Sequence, residues 1–426
     1  MEKLIVHGGP SLSGTVSIGG SKNASLPILA ATLLTGETCV IRRVPDVSDT
    51  NYMLQILQNL GAEVERASGT VTVKAEKIKH VAPYELVRKM RASVCVMGPL
   101  MGRLKKADVS LPGGCVIGDR PVDLHLRGLE ALGTRVEVSG GDMHLQADEL
   151  IGTEINMMGK FGSTVLGTDN VMMAAVLAKG TTVITGAAAE PEVVDLADFL
   201  NGMGAKISGQ GTSTITIEGV EELGGVEHVV IPDRIEAGTF LVAGAIAAEK
   251  DLTLSLVRRD HMVDIIAHLE TAGFLIEDSQ SGRRAGLTIR KNPDRSPSCC
   301  DIKVAAYPGY PTDMQAQMSA LFATAPGTAV IEDPIFPQRF MHISEMKRMG
   351  ADADIEPGRC TIRGVEQLSA APVMASDLRA SAALVLAGLT AKGSTEINRV
   401  YHIDRGYEQI DEKLISLGAE IERVQM

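Results

Sequence analysis

The chain has 426 residues, more than one hydrophobic core comfortably holds, so two domains are the natural expectation. Hydrophobic residues make up 45% and charged residues 22%, and tryptophan is absent, which calls for aliphatic cores of the kind found in globular enzymes. A formal net charge of −12 repels a phosphate backbone at long range and argues against nucleic acid as a partner, while a small anionic substrate stays open wherever basic residues converge.

Residues 1 to 20 predict an extra strand pair able to join either half of the molecule. They form no basic, apolar leader, and no 18-residue apolar run follows, so neither secretion nor membrane insertion is expected. The stretch "GGSKNASLPILAATLL" places Lys22 and Asn23 behind two glycines at the start of an apolar helix, a layout that suits a bound phosphate or carboxylate and equally an ordinary helix cap. The GxxxxGK[ST] order is missing, so ATP is not indicated. Asp46 and Asp49 follow on a loop, and "VRKMRAS" brings Arg91 to a turn.

In "SLPGGCVIGDRPVDLH", Pro112, Gly113 and Gly114 break any helix or strand and favour an exposed turn, which sets Cys115 apart from a buried structural thiol. The other cysteines, Cys39, Cys95, Cys299, Cys300 and Cys360, show neither CxxC spacing nor histidine pairing, so no zinc site and no disulfide framework is expected, and a reducing cytoplasm fits. Further on, "YPGYPTDMQAQ" sets Asp313 after a Pro-rich turn and ahead of a helix, as an N-cap or as a general base toward a substrate hydroxyl.

One phrase recurs six times, in "LQNLGAEVE", "LEALGTRVE", "LNGMGAKIS", "LETAGFLIE", "MKRMGADAD" and "LISLGAEIE". Its glycines, Gly61, Gly133, Gly204, Gly273, Gly350 and Gly418, are separated by 72, 71, 69, 77 and 68 residues. A glycine just past a helix accepts the left-handed backbone that closes the last turn. Most copies also carry an Ala-rich helix, a turn and a short apolar strand earlier in the unit. A period of about 70 residues exceeds the roughly 20 to 50 of common solenoids, so two closed α/β (α+β) domains of three units each are expected. The break falls near "EHVVIPDRIEAGTF", where the third unit's closing strand ends. This gives a first domain over 21–230, carrying the Cys115 loop, and a second over 1–20 plus 231–426.

The loops between central strand and second helix carry charges: Arg120 and Asp123, Glu190 and Asp195, Arg339, and Asp404 and Arg405. Equivalent loops of a repeated fold lie on one face. Arg91, Arg120, Arg339, Arg379 and Arg405 therefore form a candidate anion site, their guanidinium forks matching carboxylate and phosphate, against the plain reading of surface arginines paired with nearby acids.

These stretches, with "PDRIEAGTFL", "RFMHISEM", "SDLRASAALVLAG" and "YHIDRGYEQIDEKL", closely resemble the UDP-N-acetylglucosamine enolpyruvyl transferases from end to end. The resemblance implies two pseudo-symmetric domains, each of three βαβαββ-type units in an inside-out α/β barrel, with the active site in the cleft between them. It implies transfer of the enolpyruvyl group of phosphoenolpyruvate to the 3-hydroxyl of UDP-N-acetylglucosamine by addition and elimination, with release of phosphate, no cofactor or metal, and inhibition by fosfomycin. By the same resemblance Cys115 donates the proton in addition, and Asp313 deprotonates the attacking hydroxyl. Lys22, Arg120 and Arg405 would hold phosphoenolpyruvate, with Arg91, Arg339 and Arg379 completing the anion site. Asn23 would contact the sugar, and Arg120, Pro121, Val122, Asp123 and Leu124 the uridine end. Lys160, Ser163, Thr164 and Val165 would contact the diphosphate, and Ile335 the nucleotide sugar. Asp49 and Asp377 would support the cleft.

Two stretches depart from the family pattern. "STVLGTDN" has Leu166 where glycine is expected, with a shift in register, and "IFPQRF" has Pro337 and Gln338 where Glu-Asn is commoner. The alternatives are the shikimate-pathway enolpyruvyl transferase, which lacks the Cys-bearing loop, and a catalytically silent six-unit scaffold that binds a nucleotide sugar or a protein.

Overall fold

The computed structural model describes residues 2–111, 122–281 and 284–425, without the side chains of 280, 281 and 284. The described residues form two compact units, one of residues 2–19 with 232–425 and one of residues 20–111 with 122–231. Each unit has its own aliphatic core.

The described residues hold six four-stranded sheets of one topology, three in each unit. In the second sheet, Val81–Ala82 runs parallel to Lys106–Ser110, which pairs antiparallel with Asp142–Gln146, which pairs antiparallel with Arg135–Ser139. In the second to fifth sheets an inner helix comes between the first two strands, and an outer one between the second strand and the closing hairpin. The inner helices, such as Lys22–Ala31, Val165–Ala175 and Leu378–Thr390, are buried almost all round and pack on one another within their unit, as the Ala-rich runs require. The outer helices, such as Ser48–Asn59 and Met341–Arg348, bury one face only.

The outer helices end as the repeat predicts. Gly61, Gly133, Gly204, Gly273, Gly350 and Gly418 all have positive φ, between 91° and 107°. A side chain at Gly204 would meet nothing within 4 Å, whereas one at Gly61 would lie 2.6 Å from the Lys77 carbonyl oxygen. Gly204→Ala is therefore expected to cost about 1–2 kcal/mol, the left-handed backbone penalty alone, and Gly61→Ala more, as read by urea unfolding. Equal costs would show that the contact at Gly61 relaxes freely.

The strand Glu227–Val229 does not close the third unit, as the sequence suggests. It pairs parallel with Thr38–Arg42 and supplies the edge of the first sheet, while the third sheet ends with the hairpin Lys206–Ser208 and Thr214–Glu218. The reason is cyclic closure. The other two sheets of this unit take their parallel edge strand from the segment before their inner helix, and the first repeat has no such strand of its own.

The other unit solves the same problem with the amino-terminal strands. Leu12–Ser17 pairs parallel with Ala248–Ser255 in the fourth sheet, and Glu2–His7 lies between Ser394–Asn398 and Glu420–Gln425 in the sixth.

Candidate active site

In the unit that includes 232–425, Asp313 lies in a short 3-10 turn, Thr312–Met314, just ahead of the inner helix Gln315–Phe322. It caps neither element, since the N-cap positions fall to Pro311 and Met314. Its carboxylate instead accepts from the Arg339 guanidinium at 2.7 Å and from the Arg379 guanidinium at 3.0 Å. The two arginine side chains are 6% and 3% exposed against 24% for Asp313, so the acid is the open member of a buried charge cluster. Burial by itself would raise the Asp313 pKa, but Arg379 and Arg339 together outweigh it and hold the carboxyl well below the usual carboxylate range.

Local structure explains how these groups are presented. Asp377 is the N-cap of Leu378–Thr390, its side chain accepting from the Arg379 and Ala380 N–H groups, so Arg379 sits in the first turn of an inner helix. Asp377 is thus a capping residue in this unit. Asp333, fully buried and with its carboxyl pKa raised by that burial, accepts from the Thr312 hydroxyl at 2.5 Å and from the N–H groups of Ile335 and Phe336. Thr312 also accepts from Arg339 at 3.1 Å, so Asp333 ties the half-buried Ile335 segment to the turn that carries Asp313.

Arg405 is half-buried on the loop between Ser394–Asn398 and Ile410–Ser416. The loop lies against the start of Leu378–Thr390. A side chain on Gly406 would come within 2.5 Å of the Leu378 methyl, and the Arg379 guanidinium stands over the Tyr407 ring at 5.2 Å. Asp313, Arg339 and Arg379 are therefore brought into contact, with Asp377 capping and Arg405 on the adjoining loop.

In the other unit, Ser21 caps the inner helix Lys22–Ala31 and accepts from the Ala24 N–H. The Lys22 ammonium pairs at 2.8 Å with Asp49, itself 2% exposed in the first turn of Ser48–Asn59. Asn23 is half-buried beside it in the sequence, and Arg91 opens the 3-10 turn Arg91–Val96. Val122 precedes the helix Asp123–Ala131; Asp123 is exposed and Leu124 packs against Gly159, where any side chain would meet a Leu124 methyl at 2.8 Å. Arg127 donates to the Asn156 and Met158 carbonyls, which ties the middle of this helix to the turn before Lys160. Lys160 is exposed, and Ser163 half-buried. Thr164 caps Val165–Ala175 by accepting from the Gly167 N–H, which makes the unexpected Leu166 a first-turn residue of an inner helix.

Two residues here were not evident from the sequence. Asn170 accepts from the Gly98 N–H, so its amide nitrogen faces the Val94 carbonyl and the His125 ring. The His125 Nδ1 must then accept, which leaves the ring proton on Nε2. Burial, with Arg91 adding to it, pushes His125 down to about 4 and keeps it neutral. No pattern in the sequence separates this histidine from a core residue; the signal is only its place after "RPVDL".

Cys115, Arg120 and Pro121 lie outside the described residues. Burial raises the other five thiols: Cys39, Cys299 and Cys300 to about 11, Cys360 to about 12, and Cys95 well above its ordinary value. They are held as unreactive thiols near neutral pH. Among the described residues no three His, Cys, Asp or Glu side chains are placed to hold a metal ion, and no helix is long and apolar enough to cross a membrane.

Residues 6–414 match the EPSP synthase (3-phosphoshikimate 1-carboxyvinyltransferase) family. The chain belongs to this family. Within the EPSP synthase family, the UDP-N-acetylglucosamine 1-carboxyvinyltransferase of Akkermansia muciniphila is 60% identical over 425 residues, covering 100% of this chain and 99% of that protein. The enzyme of the same name from Methylacidiphilum infernorum is 58% identical over 424 residues, again covering 100% and 99%. Among solved structures, the enolpyruvyl transferase NikO from Streptomyces tendae has a TM-score of 0.89 at 25% identity, covering 100% of this chain and 99% of that one. An EPSP synthase from Acinetobacter baumannii has a TM-score of 0.74 at 17% identity over the whole of both chains. The chain is an enzyme with the two-domain enolpyruvyl transferase fold.

Proposed function

We propose that this protein transfers the enolpyruvyl group of phosphoenolpyruvate to the 3-hydroxyl of UDP-N-acetylglucosamine and releases phosphate, the first committed step of peptidoglycan precursor synthesis in the cytoplasm. The observation that carries the reading is end-to-end identity of 58–60% with enzymes named for this substrate. The shikimate-pathway alternative has the family match and the fold in its favour, but only 17% identity to a solved EPSP synthase. A silent scaffold gives no reason to keep a partly open carboxylate between two buried arginines.

In this reading Asp313 takes the proton of the 3-hydroxyl as its oxygen bonds to C2 of phosphoenolpyruvate. Cys115 gives a proton to C3, and a tetrahedral intermediate results. Loss of a C3 proton and of phosphate from C2 then restores the double bond. Lys22, Arg120 and Arg405 hold phosphoenolpyruvate, with Arg91, Arg339 and Arg379 around the anion. Asn23 contacts the sugar, and Asp49 orients Lys22 through their 2.8 Å pair. Pro121 to Leu124, Lys160, Ser163, Thr164, Val165 and Ile335 receive the nucleotide sugar. The basic groups neutralise the phosphate, so no metal or cofactor is assigned a role.

The test is phosphate release by the purified chain. Release that needs both phosphoenolpyruvate and UDP-N-acetylglucosamine supports the proposal; release with shikimate 3-phosphate in place of the nucleotide sugar, or none with either acceptor, defeats it. The departure at Leu166 has its own consequence. Its side chain stands in the first turn, at the helix end whose backbone N–H groups suit an anion. Leu166→Gly is expected to lower KM for UDP-N-acetylglucosamine about threefold, on the order of 0.7 kcal/mol, with kcat unchanged. Equal Michaelis constants would show that the departure is neutral.

A further inference from the structure

The loop that presents Arg405 is held at both ends by residues in an unfavourable conformation. Arg399, just after Ser394–Asn398, has φ of 63°, and Gln409, just before Ile410–Ser416, has φ of 51°. Neither is glycine, so the surroundings must enforce the geometry. On its inner side the loop is anchored by Tyr407, 2% exposed, whose hydroxyl lies 2.9 Å from the Thr239 hydroxyl and accepts from Gln317 at 3.2 Å.

On its outer side one guanidinium does the holding. Arg423, on the last strand, donates to both Asp404 oxygens at 3.1 and 3.0 Å and to both Asp411 oxygens at 2.9 and 3.2 Å. It also donates to Glu2 at 3.0 Å, on the strand beside its own. Asp404 directly precedes Arg405, and Asp411 lies in the first turn of the helix after the loop. The Asp404 carboxylate is thus turned to Arg423 and used there. A freed Asp404 would be a carboxylate one residue from Arg405 in the chain and a competitor for its guanidinium.

We infer that Arg423 is a positioning residue for phosphoenolpyruvate binding: by gripping Asp404 and Asp411 with one fork it fixes the Arg405 loop and keeps Asp404 from pairing with Arg405. The inference rests on the proposed role of Arg405. A lysine cannot replace a fork that spans two carboxylates, because its ammonium is a single point of donation.

The test compares R423M, R423K, R405M and R423M/D404N in the full chain, by phosphate release. R423M is expected to raise KM for phosphoenolpyruvate about tenfold, the scale expected of a misplaced binding group, with KM for UDP-N-acetylglucosamine unchanged. R423K should fall between R423M and the parent, and it carries the measurement if R423M does not fold. Adding D404N to R423M should recover part of the loss by removing the competing carboxylate. A folded R423M with the parent's phosphoenolpyruvate KM, or with both Michaelis constants raised alike, overturns the inference while R405M still weakens phosphoenolpyruvate binding. If R405M itself leaves that constant unchanged, the reading of Arg405 fails first, and the inference fails with it.

Discussion

Asp313→Asn is expected to lower kcat for phosphate release by about 10³-fold, the middle of the range for a general base. It should also cost about 3 kcal/mol of stability, because it removes the carboxylate that Arg339 and Arg379 share and leaves both buried guanidinium groups without their paired charge. Asp313→Glu keeps the charge but moves the oxygens, so kcat should fall while most of the stability remains. A kcat within a few fold of the parent in both variants would remove Asp313 from the chemistry.

The same cluster gives a pH dependence with a definite sign. The folded-state pKa of Asp313 lies well below its unfolded value. Its contribution to stability is therefore complete above the ordinary carboxylate range and is lost as pH falls through the depressed value. Urea midpoints measured from neutral pH downward should drop later for Asp313→Asn than for the parent, since the variant has no such contribution to lose. For the same reason no fall in kcat/KM near neutral pH comes from protonation of Asp313.

The second large effect concerns Cys115. Cys115→Ser is expected to reduce kcat by about 10²-fold or more, because the hydroxyl is a far weaker proton donor than a thiol. Fosfomycin should abolish phosphate release by the parent, and peptide mapping should find one adduct per chain, on Cys115. Burial holds the other five cysteines at raised pKa, so they supply almost no thiolate to compete. An adduct on any of those five, or full activity in the serine variant, would refute the assignment.

The six units were legible because their signals are local. A glycine that ends a helix at positive φ, an alternating strand after it and an Ala-rich helix before it each depend on a few neighbouring residues. The closure of the sheets was not legible. Glu227–Val229 resembles the end of the third unit in sequence, yet it completes the first sheet, since a parallel edge strand can come from any distance along the chain.

The site divides in the same way. The residue types pointed to anion chemistry, and their order along the chain carried the family resemblance. For Asp313 the sequence left two local roles open; tertiary structure gives the N-cap positions to Pro311 and Met314 and pairs the carboxylate with Arg339, 26 residues away, and Arg379, 66 away. His125 with Asn170, and Arg423, had no local signal, because their partners come from a separate repeat or from other elements of the fold. The sequence by itself determined the repeat, the fold class and the family, which rest on backbone propensity and side-chain periodicity within a few turns. Only the tertiary structure decided which charges meet and which of them are buried, because solvation and Coulomb energy depend on distance in space and not on distance along the chain.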